Sequence, residues 1–139
     1  MSDHQNGVEL VKLYTDLTGK ISFMLITAST ASIAYVLTQI KDESWSSLIY
    51  FPLFSLTLLG LSFLCGCNSL NSKASMLNNN GFILQAIKNP ERATDVEEAI
   101  NELERNSKKI SFYNKVQYIA FIFGAFSYAL FVFFKILIK

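Results

Sequence analysis

The sequence predicts an all-α integral membrane protein with three transmembrane helices, an N-terminal amphipathic helix and a cytoplasmic helical hairpin that extends the second and third spans. Its 139 residues are 51% hydrophobic and only 17% charged, whereas about a quarter of residues in globular proteins are charged. The charges are also clustered, and none lies between Lys20 and Lys41, between Glu43 and Lys73, or between Lys115 and Lys135. Each gap can hold the roughly 20 apolar residues that a helix needs to cross a bilayer.

Two other interpretations of the apolar segments are weaker. A soluble bundle would need enough polar surface to cover three apolar helices, and so short a chain cannot supply it. Ser32-Ile33-Ala34 has a small-x-small pattern, but the segment before it lacks the compact basic region of a signal peptide. We therefore expect one membrane domain, residues 1–139, with spans at 21–40, 48–67 and 116–138.

Residues 1–20 carry an amphipathic stripe ahead of the first span. Leu10, Tyr14, Leu17 and Ile21 recur at spacings of four, three and four, which is the period of one helix face. Such a helix is suited to lie along the membrane surface or to cap the bundle. A short polar turn at residues 41–44 predicts that the first two spans form an antiparallel hairpin.

The connection at residues 71–115 is predicted to be a helical hairpin in water. Asn78-Asn79-Asn80-Gly81 is expected to end the second helix, because Asn and Gly tolerate the left-handed geometry of a helix C-terminus. A helical pattern then returns, with Ile100, Leu103 and Ile110 on one face. This helix is expected to continue into the third span.

Basic residues predict the orientation, because loops rich in Lys and Arg resist translocation. Nine of the 12 basic residues lie on the side shared by the N-terminus and the connection 71–115: Lys12, Lys20, Lys73, Lys88, Arg92, Arg105, Lys108, Lys109 and Lys115. The expected location is a bacterial inner membrane, with that side in the cytoplasm and the C-terminus outside.

Several functional classes are disfavoured by residues that the sequence lacks. The spans contain no Asp, Glu, His or Arg, the sole histidine is His4, and no catalytic or phosphate-cradling motif can be assembled, so we expect neither an enzyme nor a cofactor. Cys65 and Cys67 point to nearly opposite sides of a helix and are expected to be free thiols, with no metal site. A net charge of +1 without a basic, aromatic-rich run argues against nucleic acid as a partner.

Small and hydroxylated side chains form a line in each span. These lines are Thr27, Thr30, Ala31, Ala34 and Thr38 in the first span, Ser55, Ser62, Gly66 and Ser69 in the second, and Ala120, Gly124 and Ser127 in the third. Such lines let helix backbones approach closely in lipid. We expect them either to join the three helices of one subunit or to line a wet path between subunits, while Ile26, Ile33, Leu37 and Ile40 face lipid.

The layout of the first two spans is similar to that of the SLATT-type membrane effectors of bacterial conflict and antiviral systems. The resemblance covers roughly the first two thirds of the chain, including the surface helix, the long cytoplasmic helix and the tight hairpin GKISFMLITASTASIAYVLTQIKDESWSSLIYFPLFSLTLLGLSFLCGC. The third span departs from that layout, and no site residue is carried over. What the resemblance implies is an effector that acts on a membrane.

The predicted function is a small oligomeric membrane effector, pore-forming or membrane-perturbing, that is gated through its cytoplasmic helices. The alternative is a non-conducting binding protein, such as an immunity or exclusion protein or an accessory subunit. Membrane lipid, further copies of the chain and a cytoplasmic protein are the expected partners. Lys73, Arg105, Lys108 and Lys109 are the candidate cytoplasmic interaction residues, although a charged helix surface beside a membrane is also common without such a role.

Overall fold

The computed structural model of the protein describes residues 2–41, 47–86 and 93–138, with side chains described at 13, 15–41, 47–81 and 97–138. It contains three long helices: α1 (Ser2–Ile40), α2 (Tyr50–Ala86) and α3 (Ala93–Leu137), with a short 3-10 helix, Ser47–Ile49, before α2. Each long helix contains a segment long and apolar enough to cross a membrane. The predictions of an all-helical chain and of three membrane-compatible helices are confirmed.

Helices α2 and α3 form an antiparallel pair, held by one stripe on each helix. The stripe of buried positions on α2 is Pro52, Ser55, Leu59, Ser62, Gly66 and Ser69, with Cys65 buried beside it, and the stripe on α3 is Gln117, Ala120, Gly124, Ser127 and Phe131. Spacings that alternate between three and four residues keep such a stripe facing its partner along a long helix pair. The stripe therefore explains why helices of 37 and 45 residues stay side by side.

Helix α1 packs against this pair through a different stripe. Its buried residues are Ser22, Ser29 and Val36, spaced seven apart, which is two turns of a helix. Two of the three are serines, so small hydroxylated side chains supply most of the fully buried part of the α1 contact.

The predicted amphipathic segment 1–20 is not a separate helix, because α1 runs without a break from Ser2 to Ile40. No proline interrupts residues 2–40, so the sequence has no strong helix breaker at the expected boundary. Leu17 and Ile21 are about half exposed, at 49% and 53%. The side chains of Leu10 and Tyr14 lie outside the described residues, as does most of the turn at 41–44.

The prediction that Asn78-Asn79-Asn80-Gly81 ends the second helix is wrong, since α2 continues to Ala86. The Asn79 side-chain amide donates to the Glu102 carboxylate on α3 at 2.7 Å, so pairing with the neighbouring helix supports a stretch of low helix propensity. The predicted continuation of the third helix through 113 into the apolar segment that follows is confirmed. Its expected apolar face is displaced, because Ile100 is 53% exposed and Ala99 is buried.

Candidate functional site

Two serines fasten the end of the α2–α3 pair that lies nearest the start of α2. The Ser55 hydroxyl donates to the Gly124 carbonyl at 2.7 Å, and the Ser127 hydroxyl donates to the Phe51 carbonyl at 2.9 Å. A side-chain hydroxyl that reaches a backbone carbonyl of the facing helix needs a close helix approach, which small residues permit. The two bonds run in opposite directions between the helices and set their register.

A second polar layer joins all three helices. The Ser62 hydroxyl donates to the Gln117 carbonyl at 2.9 Å and accepts from the Ser29 hydroxyl at 3.2 Å. All three residues are fully buried. Ser62 thus links α1 and α3 through one side chain of α2.

A third layer is centred on Asn114. Its side-chain carbonyl oxygen accepts from the Ser69 hydroxyl at 2.6 Å and from the Ser22 hydroxyl at 3.0 Å. The single proton of Ser22 is shared between Asn114 and the Thr18 carbonyl of its own helix, which lies at 2.9 Å. The Gln117 side-chain amide also donates to the Ser22 backbone carbonyl at 3.0 Å. Because hydrogen bonds between helices in lipid have little water to compete with them, this layer contributes to holding α1 in place.

Glycines mark the closest helix approaches beside these layers. A Cβ placed on Gly66 would lie within 3.0 Å of side-chain atoms of Gln117 and Ile26, so α1, α2 and α3 converge there. A Cβ on Gly124 would lie 3.0 Å from Leu59 Cγ. Gly60, also on α2, has no such neighbour within 4 Å and makes a natural comparison for mutagenesis.

The lines predicted for the second and third spans are brought together inside one subunit. Ser55, Ser62, Gly66, Ser69, Ala120, Gly124 and Ser127 are all buried. Four of these residues donate their side-chain hydroxyls in the interhelical hydrogen bonds described above, and Gly124 accepts one of them through its carbonyl. Their side chains are occupied by packing and are not available to line a path between subunits without separation of α2 from α3.

The line predicted for the first span lies elsewhere. Thr27, Thr30, Ala31, Ala34 and Thr38 are all exposed in the single subunit, on the side of α1 roughly opposite the Ser22–Ser29–Val36 stripe. The apolar residues expected to face lipid are mostly turned inward instead, since Ile26, Ile33 and Ile40 are partly buried and only Leu37 is exposed. The expectation that this line joins the helices of one subunit is therefore wrong, because the polar partners on α2 and α3 meet the opposite face.

The threonines of this exposed line do not lack hydrogen bonds. Each hydroxyl donates to the backbone of its own helix: Thr27 to Phe23, Thr30 to Ile26 and Thr38 to Tyr35, at 3.0, 2.9 and 2.7 Å. The donors are satisfied without a partner helix, and the hydroxyl oxygens keep acceptor capacity. We call Thr27, Thr30, Ala31, Ala34 and Thr38 the α1 outer face.

Sequence reasoning missed four residues that the structure places in the polar layers: Ser22, Ser29, Asn114 and Gln117. Gln117 carried a usable signal, since it is the sole amide side chain in residues 116–138 and an amide in hydrocarbon needs a hydrogen-bond partner. Ser22 and Ser29 gave little signal in the sequence, because the neighbouring Thr and Ala residues form a more regular small-residue pattern.

No match was found between this chain and a protein family, a curated protein or a solved structure.

The predicted cytoplasmic interaction residues do not form one cluster. Arg105, Lys108 and Lys109 are exposed on α3. The Lys108 ammonium lies 2.8 Å from the Glu104 carboxylate, and its hydrogen bond and charge lower the pKa of that carboxyl. Lys73 lies apart from them and is partly buried. It lines a cavity between the three helices, and the exposed residues Lys20 and Lys115 line the same cavity.

The described residues contain two free cysteines and no cluster of metal-ligating side chains. Cys65 and Cys67 are both free thiols, the first buried and the second exposed, as the two-residue spacing predicts. Within the described part of the chain, no group of three or more His, Cys, Asp or Glu residues could hold a metal ion.

Proposed function

We propose that the protein is an oligomeric membrane effector whose subunits meet through the α1 outer face. The observation that carries the proposal is the exposure of this face while the small residues of α2 and α3 are buried in their own subunit. Ala and Thr offer lipid chains little apolar contact area, whereas their small side chains let another helix approach closely. In a membrane, the face is therefore better matched by a second copy of α1 than by lipid chains.

The same face is suited to line a wet path once several copies assemble. Three helices are too few to enclose a channel by themselves, so a path requires an oligomer. Thr hydroxyls can stay bonded to their own helix and still offer an acceptor to water, which avoids placing a charge in the membrane. We propose either conduction or local perturbation of the bilayer as the consequence of assembly, with no catalytic step.

We propose that the helical region outside the spans, residues 71–115, controls assembly. In the proposed orientation the N-terminus and residues 71–115 lie in the cytoplasm of a bacterium, and the C-terminus lies outside. Because α2 and α3 are continuous from this region into the spans, a partner that shifts one helix along the other moves the polar layers as well. Arg105 and Lys109 are exposed for contact with an acidic partner.

The test is a voltage-sensitive dye in bacteria that express the chain, with Ala34→Leu as the variant. Wild-type chain is expected to depolarise the membrane as growth stops. Ala34→Leu should reduce the depolarisation and lower the oligomer size in detergent, because a bulky side chain blocks close approach at the α1 outer face. Ala125→Leu on α3, also exposed but outside this face, is the matched control and should behave as wild type.

A steady potential in cells with confirmed membrane insertion would contradict an open pore. An oligomer size that Ala34→Leu leaves unchanged would remove the α1 outer face from the interface.

A second candidate is a non-conducting membrane binding protein, and one observation favours it. Leu77 on α2 and Ile100 on α3 are 69% and 53% exposed, in the part of the helix pair proposed to lie in water. Exposed apolar side chains on such a surface are suited to a protein partner. This candidate predicts that high expression is harmless and leaves the membrane potential unchanged.

A further inference from the structure

A cavity of about 1190 Å³ opens between the three helices. It lies on the side of the Asn114 layer that faces the N-terminus and the 71–115 connection. Residues from every helix line it, among them Lys20 and Phe23 of α1, Lys73 and Met76 of α2, and Ile110 and Asn114 of α3. The cavity is larger than a small anion needs, and its size suits a ligand with a substantial body.

The charge in this cavity is unbalanced. Asp16 and Lys20 neutralise each other through an ion pair of 2.7 Å. Lys73 and Lys115 add two further positive charges to the lining. The cavity therefore favours an anionic ligand.

Lys73 is the most specific feature of the cavity. Its ammonium nitrogen is buried and has no hydrogen-bond partner among the described residues. A buried ammonium without a partner is unfavourable, and an anion beside it offsets the lost hydration. The flexible four-carbon stem of Lys73 lets the ammonium turn towards such an anion.

The other residues that line the cavity indicate what the rest of the ligand is like. Phe23, Met76, Leu77 and Ile110 supply apolar surface, while Ser107, Ser111 and Asn80 supply hydroxyl and amide groups. Basic pockets between membrane helices at the cytoplasmic side are suited to anionic lipid headgroups. A phosphate has more acceptor oxygens than a carboxylate and can engage two ammonium groups and the hydroxyls together.

We propose that this cavity binds a net-anionic phosphate compound with an apolar or aromatic body, with the phosphate held by Lys73 and Lys115. An acidic phospholipid and a soluble nucleotide share this chemistry. Binding at this site does not require a pore, so the result of its test is independent of the proposed function.

The experiment is native mass spectrometry of the purified full chain in neutral detergent, titrated with dioleoyl phosphatidylglycerol. Dioleoyl phosphatidylcholine, which has the same phosphate but a balancing cation, is the control lipid, and ATP and inorganic phosphate are the soluble probes. Lys73→Met should weaken binding of the favoured probe by about five- to tenfold. Lys41→Met, which removes an exposed charge outside the cavity, should leave it within about twofold.

Each outcome decides the proposal. Lys73-dependent binding of phosphatidylglycerol over phosphatidylcholine identifies a lipid, and Lys73-dependent binding of ATP or phosphate identifies a soluble source. Equal affinities in Lys73→Met and Lys41→Met, or no binding of any probe, would overturn the proposal. Lys73→Met should also raise the midpoint of thermal unfolding without ligand, because it removes the unpaired buried charge; a lower midpoint would count against the variant, and Lys115→Gln would then replace it.

Discussion

Gly66→Val is expected to produce the largest loss of stability of the substitutions proposed for this protein. A Cβ at Gly66 would lie within 3.0 Å of Gln117 on α3 and of Ile26 on α1, so the added side chain must displace both. Moving Gln117 breaks its hydrogen bond to the Ser22 carbonyl, 3.0 Å long. Overpacking of this kind costs roughly 1–3 kcal/mol, and the lost interhelical bond adds to it. The change should loosen α1 from the α2–α3 pair.

Unfolding of the purified protein in mixed micelles, followed by circular dichroism, measures this loss. Gly60→Val is the matched control, because it places the same side chain on the same helix where no atom lies within 4 Å. Val and Gly differ in helix propensity by only a few tenths of a kcal/mol, so the control should change stability little. Equal destabilisation by the two variants would show that the three helices do not converge at Gly66.

The α2–α3 interface is the part of the site that the sequence predicted best. Ser55, Ser62 and Ser69 are seven apart, and Ala120, Gly124 and Ser127 follow the alternating spacing of a single stripe. Small residues in an otherwise bulky segment leave one face on which helix backbones can meet. Period and side-chain size together therefore picked out the faces of α2 and α3 that the structure buries, but did not choose between packing within one subunit and lining a path between subunits.

The face of α1 could not be predicted in the same way. The α1 outer face has the same small-residue pattern as the other two helices, and pattern alone does not distinguish contacts within a subunit from contacts between subunits. Hydrogen-bond partners on other helices determine which face of α1 packs within the subunit: Ser62 pairs with Ser29, and Asn114 pairs with Ser22. The end of α2 was missed for a related reason, since Asn79 bonds to Glu102 across the helix pair and local propensity does not record that contact.

Asn114→Ala is expected to have the second-largest effect, because it removes one acceptor that serves two helices. The Ser69 and Ser22 hydroxyls both donate to it, at 2.6 and 3.0 Å. Interhelical hydrogen bonds in membrane proteins average about 0.6 kcal/mol each and reach about 1.7. We therefore expect a loss of about 1–3 kcal/mol in the free energy of unfolding. Asn101→Ala, at an exposed position of the same helix, corrects for the change in helix propensity.

A double-mutant cycle separates the bond itself from the other consequences of the substitution. Ser69→Ala, Asn114→Ala and the double variant should give a coupling energy of about 0.6–1.7 kcal/mol, because the double variant loses that bond only once. Additive losses would mean that Ser69 and Asn114 do not interact in the membrane. A coupling of similar size between Ser22 and Asn114 would show that α1 is held by the same amide, since Ser22 is the α1 residue that donates to it. Both couplings together would make Asn114 the point at which a shift of α3 is transmitted to α1, and so to the face proposed for assembly.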